Sequence, residues 1–544
     1  MWGTVLIVAS LAVLTKADYY TALADLEDLL ETEAVLINTL DSYIEQQEVR
    51  LQQLKNKVKD YKKEHSVASG DVTNYLSNPI NAYLLVKRLI TDWKYTETLM
   101  NDAVAEDAIK NITNIKKYMK FPTDEDLTGA ATALIRLQDT YAMDTSSVAR
   151  GELNGVQYTT QLSSSDCFEL GRQSYNKQDF YHTMLWMREA LTRHERELNR
   201  TETTRSDILE YLAYSTYMQG NLQSALEMTN ELLEIIPDHP RALGNKAYYK
   251  NAIDKGELEK EVQDDEKFKN HIKLSHTVKR LMMLVQGELT GDEYLDDKIL
   301  YEKACRGEVS PPENVLSQLK CLYLKNNPFL KLAPLKVEEA YLKPRILLFK
   351  DSLYDSEIEV IKRMAQPKLR RATVQNSKTG ELETASYRIS KSAWLKDNDD
   401  EVIARVSKRV EDMTGLTTAT AEELQVVNYG IGGHYEPHFD FARKDEEPNA
   451  FKSLGTGNRI ATVLFYMSSV AQGGATVFPR LRVSLWPEKG TAAVWFNLLR
   501  NGEGDYDTKH GACPVLAGSK WVSNKWLHVR GQEFLRPCSL EPHV

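Results

Sequence analysis

Tyr429-Gly-Ile-Gly-Gly-His434-Tyr435-Glu436-Pro437-His438-Phe439-Asp440 sets a histidine and an aspartate two residues apart. On a β-strand such residues point to the same face, about 6–7 Å apart at the backbone. His438 and Asp440 would therefore project one imidazole and one carboxylate together. These are two of the three groups of a 2-His-1-carboxylate facial triad, which leaves open positions on a non-haem Fe(II). An H-x-D pair also arises by chance, so the residues that follow decide its meaning. A triad needs a distal histidine on a neighbouring strand, and His510, in Lys509-His510-Gly-Ala-Cys-Pro-Val515, is the best candidate.

Lys520 follows, between Gly518-Ser519 and Trp521-Val522. A buried cation near such an iron pairs with the far carboxylate of 2-oxoglutarate, whose near carboxylate and keto oxygen chelate the metal. Lysine serves as a compact point charge where arginine would offer a fork. Lys520 reads equally as a solvated surface charge, although strand alternation could turn it inward.

From about Lys343 onward the chain resembles the catalytic domain of the collagen prolyl 4-hydroxylase alpha subunit. The resemblance is carried by Leu369-Arg-Arg-Ala372, Tyr387-Arg-Ile-Ser-Lys-Ser-Ala-Trp-Leu395, Ala421-Glu-Glu-Leu-Gln-Val426, Gly473-Gly-Ala-Thr-Val-Phe-Pro479 and His510 through Phe534. It implies His438, Asp440 and His510 as iron ligands, and Lys520, Tyr429 and Thr476 around 2-oxoglutarate. It implies Trp526 and His528 on the substrate or co-substrate side. His434 stands where a Gln is usual and is not assigned as a ligand. The bland alternatives are a satisfied core histidine for His528, packing aromatics for Tyr429 and Tyr435, and an ordinary strand residue for Thr476. Trp521 reads as core.

The implied activity is hydroxylation of proline C4 in collagen-type X-Pro-Gly repeats, with L-ascorbate rescuing over-oxidised iron. A protein disulfide isomerase is the implied partner, in an alpha2beta2 tetramer. Rival readings are a related 2-oxoglutarate hydroxylase with another peptide substrate, and a non-catalytic dimeric helical-repeat adaptor. An adaptor would not need His438, Asp440, His510 and Lys520 together.

The 544 residues suffice for several domains, with 27% charged and 42% hydrophobic residues, an ordinary globular balance. A net charge of −10 disfavours bulk nucleic-acid or anionic-membrane binding. Residues 1–17 hold an apolar run, Thr4 to Thr15, too short to span a bilayer. Small residues Thr15 and Ala17 favour cleavage before Asp18, which reads as a signal peptide. No other long apolar run suggests a transmembrane segment. The expected site is the endoplasmic reticulum lumen, and Glu541-Pro-His-Val544 lacks a KDEL-type signal, so retention would need the partner. Asn111 and Asn199 are N-x-T glycosylation acceptors. Cys305 lies close in sequence to Cys321, and Cys513 to Cys538, so these two bridges are expected, as the resemblance also implies. Cys167 is left as a small buried hydrophobe.

Residues 18–64 carry heptads, with Leu23, Leu30, Ile37, Ile44, Leu51 and Val58 on one seam. Leu26, Leu40, Leu54 and Tyr61 form the other, interrupted by Glu33 and Gln47, which could set register. A coiled coil within an 18–150 dimerisation domain is expected. Asp144-Thr-Ser-Ser-Val148 reads as a linker. Residues 163–253 read as tetratricopeptide-like repeats: Leu212, Ala213, Gly220, Ala225 and Pro237 fall at that motif's spacing, and Leu170, Gly171, Tyr175, Phe180 and Ala190 form an earlier copy. Residues three apart share a helical face, so Tyr175, Tyr211, Tyr214, Asn245 and Tyr248 could tile one surface. Aromatic grooves suit preformed polyproline II peptides; tyrosine stripes also pack between helices. The resemblance implies that these five line a peptide-substrate groove, and Tyr217 is assigned to packing. Residues 254–342 read as a charged linker and flank. From 343 onward, short β runs between Gly-rich turns suggest a double-stranded β-helix, or jelly roll, with helical support.

Overall fold

The computed structural model describes residues 19–70, 88–100, 104–119, 121–158, 161–197, 203–255, 293–375, 382–443, 451 and 454–539. The expected leader, the acceptor Asn199 and the acidic run at 257–266 lie outside them. Asp25–Thr123 gather into one compact unit, and Asp18–Ala24 with Asp124–Val544 into another.

In the first unit, α1 (Leu23–Gly70) is a single helix. Tyr61 stacks on Trp93 of α2 (Trp93–Met100) at 5.2 Å and meets the Thr96 hydroxyl at 2.9 Å. One heptad seam stays bare: Leu30, Ile37, Ile44, Leu51 and Val58 are all exposed. A long helix whose apolar stripe finds no cover among the described residues suits self-association. α3 (Val104–Tyr118) carries Asn111 exposed, as a glycan acceptor requires.

The second unit begins with α4 (Asp124–Thr140). The presumed linker at 144–148 is instead a short helix, α5 (Thr145–Ala149), because the Asp144 carboxylate accepts from the Ser147 N–H at 3.1 Å and caps it. Two helical hairpins follow: α6 (Ser164–Asn176) with α7 (Phe180–His194), and α8 (Arg205–Met218) with α9 (Leu222–Ile235). Capping boxes start α6 (Ser163 with Asp166) and α8 (Thr204 with Asp207). Their buried Trp186, Met187, Ala190, Ile208 and Leu212 form one core. α10 (Pro240–Lys255) closes the array.

After α11 (Glu293–Cys305) the periodicity changes to two. A nine-stranded sheet contains β1 (Cys321–Leu324), β2 (Leu335–Leu342), β3 (Arg345–Lys350), β4 (Arg370–Arg371), β5 (Lys391–Leu395), β6 (Leu424–Tyr429), β8 (Arg459–Tyr466), β11 (Ala492–Phe496) and β13 (Lys520–His528). Its order is β1-β2-β3-β11-β8-β13-β6-β5-β4, every pair antiparallel. A four-stranded sheet runs β7-β12-β9-β10, with β7 (Tyr435–His438), β9 (Thr476–Phe478), β10 (Val483–Leu485) and β12 (His510–Ala512). One face of the large sheet packs on α12 (Asp355–Ala365) and α13 (Glu401–Thr414) through Ile358, Ile361, Ile403, Val406 and Val410. The other meets the small sheet through Val427, Leu464, Phe478, Trp495 and Val522. This is the expected double-stranded β-helix; its central strands are covered on both faces, so every residue of β6 and all but the first of β8 are buried, the polar Gln425, Asn428 and Thr462 included.

The expected cysteine pairing needs correction. Cys305, at the end of α11, bonds Cys513, just after β12, across 208 residues of sequence, with Cα atoms 5.5 Å apart. Cys321 and Cys538 are free and exposed, and Cys167 is buried. Pairing follows distance in space, and α11 lies against the small sheet, where Cys305 and Cys513 share one apolar cluster.

Candidate active site

β7 and β12 pair with His438 directly opposite His510. Asp440, two residues past His438, turns inward and is buried. The His438 Nε2–Asp440 Oδ1 distance is 3.7 Å and the His510 Nε2–Asp440 Oδ2 distance is 3.6 Å. One ligand atom from each of the three lies within 4.8 Å of the others, the single such cluster among the described residues.

The surroundings fix how these groups can act. His438 Nδ1 donates to the Glu436 carbonyl at 2.8 Å, and His510 Nδ1 donates to the Thr508 carbonyl at 3.0 Å. Each ring thereby keeps its Nε2 lone pair for a metal, the usual outer-shell arrangement. Burial, then the His510 ring, pushes His438 well below the ordinary histidine range, so it is neutral at neutral pH. Burial opposes ionisation of Asp440, but both histidines and Arg459 outweigh it and hold its carboxyl low. Thr462 donates to Asp440 Oδ2 at 2.7 Å, and Asn497 donates to the Thr462 hydroxyl at 2.9 Å, so the carboxylate is aimed from behind. Two imidazoles that keep Nε2 free and an oriented carboxylate suit Fe(II) with open positions.

Lys520 faces the same pocket, together with Tyr429, Thr476 and Trp526. It is 1% exposed, and no carboxylate lies within ion-pairing distance among the described residues. Burial alone brings its ammonium down to about 7. Its Nζ lies 4.9 Å from the centre of the Tyr429 ring, where the π face partly compensates the charge. A buried cation left without an anion is costly, and a carboxylate entering the pocket would supply one. Strand alternation along β13 therefore turned Lys520 inward, against its solvated reading.

His528 departs from expectation. It does not line the pocket: its Nδ1 lies 2.7 Å from the Gly457 carbonyl and its Nε2 lies 3.0 Å from Glu422 Oε1. Glu422 in turn takes both branches of Arg459, at 2.6 and 2.9 Å, and the Arg459 guanidinium lies over the Trp526 ring at 4.0 Å. His528 is the satisfied core histidine, three contacts behind the pocket wall. Three lining residues escaped or were discounted: Tyr435, whose ring stacks on His438 at 3.5 Å; Arg388, 4.8 Å from the centre of that tyrosine ring; and Trp495, 4.8 Å from the His510 ring. Sequence spacing gave no signal for Tyr435: three residues before His438 it would face away on a regular strand, and a register shift between the two brings the rings together.

The iron-bearing segment is braced from outside the β-sandwich. The Ile431 N–H donates to the Tyr20 carbonyl at 3.1 Å, and the Ala24 N–H donates to Asn428 Oδ1 at 3.3 Å. Gly430 is required there, since a methyl group would overlap the Tyr20 carbonyl oxygen. Gly432 takes a positive φ of 54° against the Ala133 carbonyl of α4.

Among the repeats, Tyr175, Tyr211, Tyr214 and Asn245 line one cavity of about 220 Å³. Tyr175 meets Tyr211 edge-on at 4.9 Å and Tyr214 at 5.8 Å. Tyr248 is not in that wall; it is 47% exposed beyond it, its hydroxyl 3.3 Å from that of Tyr217. Tyr217 packs on Tyr249 at 4.8 Å, as its packing assignment anticipated.

Three family signatures match: the prolyl 4-hydroxylase alpha-subunit N-terminal region over residues 22–155, the prolyl 4-hydroxylase peptide-substrate-binding domain over 164–255, and the 2OG-Fe(II) oxygenase superfamily over 424–528. Prolyl 4-hydroxylase subunit alpha-2 of Caenorhabditis elegans is 50% identical over 99% of this chain and 97% of its own length. Prolyl 4-hydroxylase subunit alpha-1 of Homo sapiens is 47% identical over 97% and 96%. A crystal structure of a viral collagen prolyl hydroxylase from Paramecium bursaria Chlorella virus-1 aligns with 33% of this chain and 94% of its own, at 25% identity and a TM-score of 0.27. Fe(II) and 2-oxoglutarate are the cofactor and co-substrate that the matched oxygenase family implies, the His-Asp-His cluster offers a fitting donor set, and the protein is a 2-oxoglutarate dioxygenase. This chain belongs to the prolyl 4-hydroxylase alpha subunit family.

Proposed function

We propose that this chain is a procollagen-proline 4-dioxygenase, hydroxylating C4 of proline in X-Pro-Gly sequences of collagen-like chains. The observation that carries the reading is the buried Lys520, without an ion-pair partner among the described residues, in one pocket with His438, Asp440 and His510. Iron with 2-oxoglutarate supplies the oxidising chemistry when bound. The protein's part is positional. Lys520 takes the distal carboxylate, Thr462 aims Asp440, and Trp526 forms part of the pocket wall. The tyrosine groove supplies a second hold on an extended proline-rich chain, which loses little entropy on docking.

Dimerisation through the bare seam of α1, a protein disulfide isomerase as beta subunit of an alpha2beta2 tetramer, residence in the endoplasmic reticulum lumen, dependence on L-ascorbate and glycosylation at Asn111 complete the proposal. They rest on the family and on the sequence features above. The test is turnover by the assembled protein: (Pro-Pro-Gly)n peptide should stimulate succinate formation and gain 4-hydroxyproline. Succinate formation indifferent to that peptide would remove the collagen assignment.

A further inference from the structure

Residues 20–24 lie far from the catalytic strands in sequence, yet they are packed among them as a strap. Thr21 and Ala22 are fully buried, and Ala24 belongs to the apolar cluster of the large sheet, with Ala393, Val426 and Trp521. Glycines make room for the strap on two sides. A methyl group on Gly129 of α4 would overlap the Tyr20 ring, whose centre lies 5.9 Å from the Arg371 guanidinium. A methyl group on Gly430 would meet the backbone of Tyr20, Thr21 and Ala22 before anything else.

Asn428 is where this strap reaches the chemistry. Asparagine is a poor strand residue, yet Asn428 is fully buried near the end of β6. Both ends of its amide are used. The Ala24 N–H donates to Oδ1 at 3.3 Å, and Nδ2 donates to the Lys520 carbonyl at 3.3 Å. A backbone N–H only donates and a carbonyl only accepts, so the two partners fix which way the amide points. The Ala24 N–H is spare because it lies in the first turn of α1, where a helix has no acceptor for it. Tyr429, the next residue of β6, pairs with Lys520 across the sheet, and its ring lies 4.9 Å from the Lys520 ammonium. Without the strap, Asn428 Oδ1 would lose its donor in a buried place, and the amide would be free to turn away from Lys520.

We propose that residues 20–24 are a positioning element of the 2-oxoglutarate site: they hold Asn428, and Asn428 holds the backbone of Lys520 where its ammonium meets the distal carboxylate. This rests on the role given to Lys520 above. His438 and His510 are oriented separately, by the carbonyls of Glu436 and Thr508. Loss of the strap is therefore felt by the co-substrate and not by the metal.

The test is calorimetric binding of 2-oxoglutarate, under anaerobic conditions, to the assembled full chain loaded with Fe(II). Ala22→Arg, too large for its buried position, undocks the strap, and Asn428→Ala removes the relay. Each should weaken 2-oxoglutarate about fivefold, with one Fe(II) per chain still bound and peptide affinity of the tyrosine groove unchanged. The two changes combined should weaken it no more than Asn428→Ala alone, because both act through one contact. Gly129→Ala raises helix propensity in α4 and obstructs the Tyr20 ring, so it gives the same reading, at about threefold, in a chain whose folding is not at risk. Unchanged 2-oxoglutarate affinity in these variants overturns the proposal. So do additive effects, or a parallel loss of Fe(II) in Gly129→Ala, which would mark the strap as structural only. Lys520→Ala separates the two readings. If it leaves 2-oxoglutarate affinity unchanged, the role of Lys520 falls and the strap's role with it; if it alone weakens binding, only the strap's role falls.

Discussion

His438, Asp440 and His510 are aimed by backbone carbonyls and a threonine behind them, whereas Tyr175, Tyr211 and Tyr214 are set against one another by ring-on-ring packing. The first arrangement is buried on paired strands and tolerates little displacement. The second lines an open groove on helices. The contrast follows from the tasks. Metal ligation demands fixed lone pairs and charge states, which hydrogen bonds supply. Holding an extended apolar chain demands area and shape, which rigid aromatics supply. Substitutions should therefore act steeply and separately at the first site, and shallowly at the second.

The largest separation is expected from His510→Ala. Turnover should fall by at least about 10³-fold, with peptide affinity of the groove unchanged by calorimetry. Lys520→Ala should weaken 2-oxoglutarate binding by about 10²-fold. The apo protein should not lose thermal stability, because the change removes a buried charge that has no anion of its own. Comparable destabilisation of the apo fold would mean that Lys520 is structural.

Thr462→Val removes the donor to Asp440 and should cost about tenfold in Fe(II) affinity. The pH dependence has a definite sign. Lys520 titrates near 7 in the empty pocket, and a bound carboxylate favours its ammonium, so binding takes up a proton. Affinity for 2-oxoglutarate should be flat below that value and then fall by up to about tenfold per pH unit above it, until the bound-state pKa is reached. Affinity that rises with pH would contradict this. The smallest effect belongs to the groove. Tyr175→Ala should raise the KM for a proline-rich peptide about fivefold, roughly 1 kcal/mol, leaving peptide-independent 2-oxoglutarate consumption unchanged.

The metal site was legible because His438-x-Asp440 sets an imidazole and a carboxylate close together, although Asp440 lies just past the end of β7, and because Lys520 opens a strand of clear β composition. The helical repeats were legible through motif spacing and capping residues. Pairing across the fold was not. Cys305 and Cys513 meet only because α11 covers the small sheet, which no local pattern encodes. His528 was misassigned for a related reason. Its place eight residues after Lys520 keeps the same strand phase but moves it along β13, beyond the pocket and into the Glu422–Arg459 pair. Tyr248 shares a motif position with Tyr175, but it lies at the end of the array, so the same register leaves it outside the groove wall.

Anaerobic Fe(II) titration of the full-length chain tests the central claim most directly. One equivalent per chain should bind tightly, be abolished by His510→Ala and persist in Tyr175→Ala. Stoichiometric iron that survives loss of His510, or no stoichiometric iron at all, would contradict a metal centre built from His438, Asp440 and His510.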